Sequence, residues 1–597
     1  MLRRLLLALA LFAPSVAFAD IAVRESLVVI SSGASPQETF AAHELRDYLS
    51  QITGVDIPIV AESSGSLSNA IVVGTGPLAR RLLPGVSWDS LGGEQTLVRS
   101  AGNSLVVAGG RQRGTLYAVY RLLQKDCGVR WWAPWATTVP SNHALTLGKI
   151  DESETPAFEF RDPYWAHSFD ANWAARNFDN GFNVHTDDAH GGKTLYAGGF
   201  VHTFNGLVPP DKEFSNHPEW FSLINGVRTA SNAQLCTTNP ELRKFIVQRV
   251  IEELKANPQA TIVSVSQNDC YNPCQCPVCR ELAKRQGSDA ALVLDLANYV
   301  ADQIKDQFPK VAVDTLAYQW SRHPPISMKP RPNVIVRLCS IECNFAQPLY
   351  APSNQAFADD IRGWNKLTKR LYVWDYCTDF ANYLQPQPDY FSLGPTLAWL
   401  SKNGAKGVFE EGDYTSSGGD MAELKAWVIA QMLWDPNQDP DALVDEFLKG
   451  YYGAASGPIR EYLKLMTDAA QGAHVSFAMG GDAPFLNYDV MSQARKLWSK
   501  ALDLVSSDPQ LTARVRMSAL SEDSVWLSHW QQFRLAALAK KETWPAAALR
   551  QAEAQSWLAN AQHALGLIGY PAVTAVDEGG TSPRAFIDAL GAEPPGP

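Results

Sequence analysis

Thr261–Asp269 reads TIVSVSQND. Apolar β-branched residues alternate with small ones and then stop at two amides and a carboxylate. β-Branched side chains suit a pleated strand, and an unpaired polar group costs free energy inside one. The stretch therefore reads as a buried strand that opens into a polar loop at its C-terminal end. The pattern recurs. Val313–Ala317 runs into Tyr318, Gln319 and Trp320, and Val334–Leu338 into Ser340, Glu342 and Asn344. Tyr372 and Val373 lead to Trp374 and Asp375, and Val408 and Phe409 to Glu410, Glu411 and Asp413. Earlier strands are expected at Phe158–Trp165, Phe200–Phe204 and Gln234–Thr237. Helices fill the gaps: one opens at Asn239-Pro240 with Leu242, Ile246, Val250 and Leu254 on one face, and another carries Leu292, Leu296, Val300 and Ile304. Repeated strand–helix units predict an α/β fold with a parallel, closed (β/α)8 TIM-like barrel over residues 154–420.

N-terminal to the barrel, strand and helix patterns alternate over residues 20–153, which predicts a small α/β accessory domain. Ser35-Pro-Gln-Glu38 has the spacing of a capping box, ahead of a helix with Leu45, Leu49 and Ile52 on one stripe. The stretch Arg113–Pro140 predicts a helix closed by Gly128 and then an aromatic exit strand with Trp131, Trp132 and Trp135. These rings are either packing or a sugar-facing platform, with Trp132 the candidate contact. C-terminal to the barrel, residues 421–570 read as a helical domain, and residues 571–597, rich in Gly and Pro, as a loose tail.

With 597 residues the chain is too long for one core. Residues 1–19 have a charged start at Arg3 and Arg4, an apolar run Leu5–Leu11 and small residues at Ala17 and Ala19. That is the pattern of a secretory signal peptide. The mature chain is expected in the periplasm or outside the cell. The apolar run Leu5–Leu11 is too short for a spanning helix, and no later stretch qualifies, so membrane insertion is not expected. Without Arg3 and Arg4 there are 49 basic against 62 acidic residues, a charge of −13. An acidic chain without a basic stripe argues against nucleic-acid partners, and the oligomeric state is open. Nine Cys are present. Cys270, Cys274, Cys276 and Cys279 have a spacing that could hold a structural zinc, but export favours a disulfide staple, which Cys236, Cys339, Cys343 and Cys377, near strand ends, could join, so no metal or other cofactor is expected.

The pieces RGTLYAVYRLL with GVRWWAP, QLCTTNPE, VSVSQND with CQCPVC, IVRLCSIEC, LYVWDY, and GVFEEGDY with MLWDP follow in order from about Arg113 to Gly453. In that order and spacing they resemble the domain of unknown function 4838 group, which includes glycoside hydrolase family 163. The first block also resembles the accessory domain that precedes the barrel in alpha-glucuronidases and beta-hexosaminidases. The resemblance implies an exported glycoside hydrolase with a glycan substrate, cleaving at a beta-linked N-acetylglucosamine. A catalytically inactive glycan-binding protein and an alpha-glucuronidase-like exo-enzyme are the alternatives. The latter needs a base facing a carboxylate, for which Arg161 and Arg337 are placed.

Active sites of such barrels lie at the C-terminal ends of the strands, and glycoside cleavage needs two carboxyl groups. Glu410 and Glu342 are the first candidates, with Asp269 as acid partner or orienter. Glu410 and Glu411 must point to opposite faces of one strand. Glu410 is preferred because the group often has Gln at the following position. The acid on the fourth strand of many sugar-cleaving barrels is Glu, from which Asn268-Asp269 departs. Gln267, Asn268, His202, Tyr318, Trp320, Trp374, Asp375 and Glu411 are the expected substrate-binding residues.

Overall fold

The computed structural model describes residues 20–62, 69–481, 483–563, 569 and 571–594. Residues 1–19, read above as a signal peptide, lie outside the described residues. The chain divides into two compact units.

The first unit spans the chain to Arg130, with Val139–Thr155 and Asp188–Gly191. Its six-stranded sheet has the order Asp151–Glu154, Thr96–Ala101, Ser104–Gly109, Ala70–Val73, Leu27–Ile30, Ile59–Ala61. The last four strands pair in parallel and the first two are antiparallel additions. Helix Pro36–Thr53 begins at Ser35 with the expected capping box, the Ser35 hydroxyl accepting from the Glu38 amide. It is closed by Gly54 at φ 71°. Helix Gly114–Lys125 starts hard against the sheet, where a Cβ at Gly114 would lie 2.3 Å from the Gln95 carbonyl oxygen. That approach explains a glycine at a helix start.

The second unit holds Trp131–Thr138, Pro156–Asp187 and everything from Gly192 onward. Its centre is a seven-stranded, wholly parallel sheet. The order is Phe160–Tyr164, Ala405–Glu411, Leu371–Tyr376, Val334–Cys339, Ala312–Ala317, Ile262–Ser264, Tyr196–Ala197. This is a curled half-barrel, α/β as expected but with seven strands rather than eight. Two sequence readings differ from it. The second strand is Tyr196–Ala197 and not Phe200–Phe204. The expected third strand at Gln234–Thr237 does not join the sheet; Leu235 forms one bridge with Phe221. The Gln234 amide is instead engaged by the loop after Ser266, donating to the Asn268 and Cys270 carbonyls and accepting from the Asn268 amide.

Helices from Ala422–Trp434 through Arg550–His563 follow. One apolar cluster runs from the sheet into them without a break, including Phe160, Val373, Ile429, Trp498 and Trp526. The expected loose tail is tied down instead. Val573 and Val576 sit in an apolar cluster with Leu384, Met517 and Trp557. The Tyr383 amide donates to the Val576 carbonyl at 2.8 Å, and Pro583–Ala589 is a helix. No described helix is long and apolar enough to cross a membrane.

Candidate active site

Side chains alternate across each strand, and the alternation builds the site. On Ala405–Glu411, Phe409 turns inward against Tyr164, Phe182, Phe200 and Trp374. Two residues on, Glu411 faces the same side. The register sets Tyr376 beside Glu411 and Asp375 beside Glu410. Tyr376 and Glu411 therefore share the inner face, while Asp375 and Glu410 share the outer one.

The inner face opens at the strand ends into a cavity of about 470 Å³. Its polar lining includes His202, Asp269, Gln319, Glu411 and Glu578, and its aromatic walls are Tyr318, Trp374, Tyr376, Phe380 and Phe477. Three carboxyl groups thus meet flat rings in one opening. The Trp374 indole N–H donates to Glu411 Oε2 at 2.9 Å. The Tyr318 hydroxyl donates to Asp269 Oδ1 at 3.1 Å and accepts from Gln319 Nε2 at 2.9 Å. His202 Nδ1 lies 2.9 Å from the Gln267 carbonyl oxygen, so it donates there and leaves Nε2 as an acceptor. His202 and Gln319 both adopt left-handed backbone, at φ 53° and 50°. Non-glycine residues held there are strained and cluster at functional sites.

Burial pushes the Glu411 carboxyl up to about 8; the nearby Glu578 carboxylate adds to the rise and the Trp374 hydrogen bond opposes it. The protonated form of Glu411 is thus favoured over that of an ordinary carboxyl. Burial also raises the Tyr318 hydroxyl, with the Asp269 charge adding to it.

The structure separates the other expected residues from this cavity. Glu410 is fully buried on the outer face, where its Oε2 accepts from the Cys377 thiol at 2.8 Å. Burial first, and the Asp375 carboxyl second, hold it well above the ordinary carboxyl range. Asp375 is bound by the Ser340 hydroxyl and the Tyr376 amide, and burial raises it to about 6. Glu342 is largely exposed and pairs with Arg322 at 2.9 Å. The expected convergence of Glu410 and Glu342 on one pocket is thus not what the structure shows, because strand alternation turns Glu410 outward and Glu342 sits on the exposed side of its loop.

Gln267 and Asn268 are buried supports. Gln267 bonds to the Tyr318 carbonyl and to Ser321. Asn268 accepts from the Asn205 amide and donates to the Ala233 carbonyl. Trp320 donates its indole N–H to the Cys270 carbonyl at 3.1 Å, away from the cavity. Trp132 is packing: its ring lies 4.9 Å from Trp427 and edge-on to Phe447. Arg161 is buried, bonded to the Phe158 and Phe178 carbonyls. Arg337 is enclosed with Asp314 at 2.8 Å. Neither arginine lines the cavity.

Sequence reading missed Glu578, Tyr376, Phe380 and Phe477. Tyr376 was legible, since it follows Trp374 at the period of two. Glu578 and Phe477 come from distant loops and carry no local signal. A wider depression of about 980 Å³ on the first unit has Glu38, Glu62, Arg80, Arg111 and Arg113 in its lining and no aromatic ring, unlike the ring-walled cavity of the second unit.

Four sulfurs that could hold a metal lie within 4.8 Å of one another: Cys236, Cys274, Cys276 and Cys279. None of the nine cysteines is bridged, in place of the expected disulfide staple. Cys270 is not in the group.

A family model described as a domain of unknown function (DUF4838) matches residues 131–464, more than half of the chain. Another, described as the glycosyl hydrolase family 67 N-terminus, matches residues 19–122. No curated protein matches. Among solved structures, a family GH115 4-O-methyl-alpha-glucuronidase with specificity for decorated arabinogalactans is similar at 13% identity and a TM-score of 0.54, over 94% of this chain and 78% of that one. A family 89 glycoside hydrolase from Clostridium perfringens, bound to 2-acetamido-1,2-dideoxynojirmycin, aligns at 11% identity and a TM-score of 0.49, over 89% and 65%. At such identities the likeness speaks for the fold, and the first of the two carries it.

Proposed function

The chain belongs to the DUF4838 family, and from the geometry of its cavity we propose that it is a glycoside hydrolase that uses Glu411 and Asp269 as its carboxyl pair. The observation that supports this most is their meeting in one aromatic-walled cavity. Glycosidic cleavage takes one carboxyl to protonate the leaving oxygen and a second group to meet the positive charge on the sugar. Glu411, raised by burial to about 8, is the acid. Asp269, which accepts the Tyr318 hydroxyl, is the partner carboxylate. Trp374 and Tyr376 offer flat faces to a sugar ring, whose apolar faces stack on them.

The cavity lining has three acids and no Lys or Arg. A uronate would meet like charge there, so a neutral sugar is favoured over a glucuronide. The finer assignment, cleavage at a beta-linked N-acetylglucosamine as in glycoside hydrolase family 163, rests on the motif resemblance. Export after removal of residues 1–19 belongs to the same proposal, and N-terminal sequencing of the exported protein should begin at Asp20.

The test is release of sugar from N-glycans, chitooligosaccharides and glucuronoxylan by wild type, Glu411→Gln and Asp269→Asn. Wild type should act on an N-acetylglucosamine-containing glycan. Each variant should lose about 10²-fold or more in turnover, the scale for removing a general acid or base. Binding of a glycan without release by wild type would favour the glycan-binding alternative. Release with both variants near wild-type rates would refute the pair.

A further inference from the structure

Gln234 lies in a loop beside the segment that follows strand Ile262–Ser264, and two residues later Cys236 is buried. Its sulfur lies 3.7 Å from that of Cys276 and 4.0 Å from that of Cys279. Cys274 completes the group, with every pair within 4.8 Å. Four zinc–sulfur bonds of about 2.3 Å in a tetrahedron place the sulfurs about 3.8 Å apart. The Cys236–Cys276 and Cys236–Cys279 separations match that edge, and the other pairs stay within 4.8 Å. A pair of disulfides would need sulfurs far closer, about 2 Å.

The surroundings suit thiolates rather than thiols. The Leu223 amide donates to Cys274 Sγ at 3.4 Å and the Cys279 amide to Cys276 Sγ at 3.5 Å. Arg228 Nη1 lies 3.8 Å from Cys274 Sγ, and Thr238 Oγ1 is 3.1 Å from Cys279 Sγ. Beyond these donors the walls are apolar, with Leu282, Ala291 and Leu292. Four bare thiols have little need of a guanidinium. A divalent ion with four thiolates carries a charge of −2, which Arg228 and the amides offset. Soft sulfur ligands in a closed tetrahedron select zinc over calcium or magnesium.

We propose that Cys236, Cys274, Cys276 and Cys279 bind one structural zinc ion. On binding, four S–H protons leave to solvent and four zinc–sulfur bonds form, with no change of oxidation state. No coordination position is left open, so the ion does no chemistry on substrate. It joins the Cys236 segment to the loop Cys270–Cys279, and so clamps both sides of Asp269. Gln234, two residues before Cys236, already bonds to Asn268 and Cys270. The site stands independently of the glycosidase reading.

The experiment is metal analysis of the purified full chain by inductively coupled plasma mass spectrometry. The wild type should carry about one zinc per chain. Cys270→Ser should keep it and Cys236→Ser should lose it. Should Cys236→Ser not fold, Cys236→His restores a fourth ligand and should retain zinc. Replacement by cobalt should give thiolate-to-cobalt charge-transfer absorption, weakened in Cys236→His. Absence of zinc in wild type, with these four cysteines in disulfides or freely alkylated, would overturn the proposal. So would unchanged zinc in a folded Cys236→Ser.

Discussion

Along Ala405–Glu411 one residue of sequence separates a carboxyl that faces the cavity from one enclosed on the opposite side of the sheet. Burial and the adjacent Asp375 hold the Glu410 carboxyl well above its ordinary range, and among the described residues its hydrogen-bond partner is the Cys377 thiol. Gln has nearly the same volume and keeps an acceptor for that thiol. Glu410→Gln should therefore keep turnover within a few-fold of wild type, while Glu411→Gln loses about 10²-fold. Side-by-side turnover numbers with matched circular dichroism check this. An equal loss in both would mean that the outward carboxyl takes part in the chemistry. Gly412, next along, shows how tightly the turn is made: a Cβ there would lie 1.9 Å from the buried Trp165 indole. A larger residue would have to displace that ring and, with it, the backbone that carries Glu411.

At the scale of elements, the segment from residue 571 to 594 has a consequence for the acid. The Glu578 amide donates to the Phe380 carbonyl at 3.0 Å, and its carboxylate accepts from the Tyr414 hydroxyl at 2.8 Å. This anchoring brings a third carboxyl to the cavity, where its charge disfavours ionisation of Glu411. Removing that charge makes Glu411 easier to ionise. In Glu578→Ala the basic limb of the turnover–pH profile should move to lower pH than in wild type, where Glu411 loses its proton near 8. An unmoved limb would show that the limb does not report Glu411. Gly579, Gly580 and the prolines nearby made this stretch look unstructured. Its hydrogen bonds and the apolar contacts of Val573 and Val576 tie it down instead.

At the scale of the whole molecule, buried carboxyls outnumber buried Lys and Arg among the described residues. Burial raises Asp162, Asp379 and Asp389 to about 7, and Glu411 and Glu522 to about 8. Their ordinary values are 3.8 and 4.5. Between those limits the folded chain binds more protons than the unfolded one, so stability falls as pH rises. The contribution is complete below about pH 4 and lost through about pH 7 to 8. His167, lowered by burial to about 3, works in the opposite sense but only below its ordinary 6.5. The urea midpoint should therefore fall between pH 6.5 and 8.5. A rising midpoint would show that these acids are ionised in the native state.

What the sequence determined by itself is local. Apolar strand cores, the Ser35–Glu38 capping box, helix stripes such as Leu242, Ile246, Val250 and Leu254, and the polar residues past each strand all follow from periods of 2 and 3.6. Those signals identified an α/β fold with a parallel sheet, though read as a closed eight-stranded barrel, and put Asp269, His202, Tyr318, Trp374 and Glu411 among its candidates. They also stated that only one of Glu410 and Glu411 can face inward, since alternation is a property of any strand. Which one does so depends on register, and the register is decided by the neighbouring strand, where Asp375 pairs with Glu410 and Tyr376 with Glu411. The same holds for Cys236, which replaces Cys270 in the sulfur cluster although it is more than thirty residues away in the chain, and for Glu578, delivered by the C-terminal segment. Contacts between residues far apart in sequence leave no periodic trace, so only the packed tertiary structure could bring these groups together.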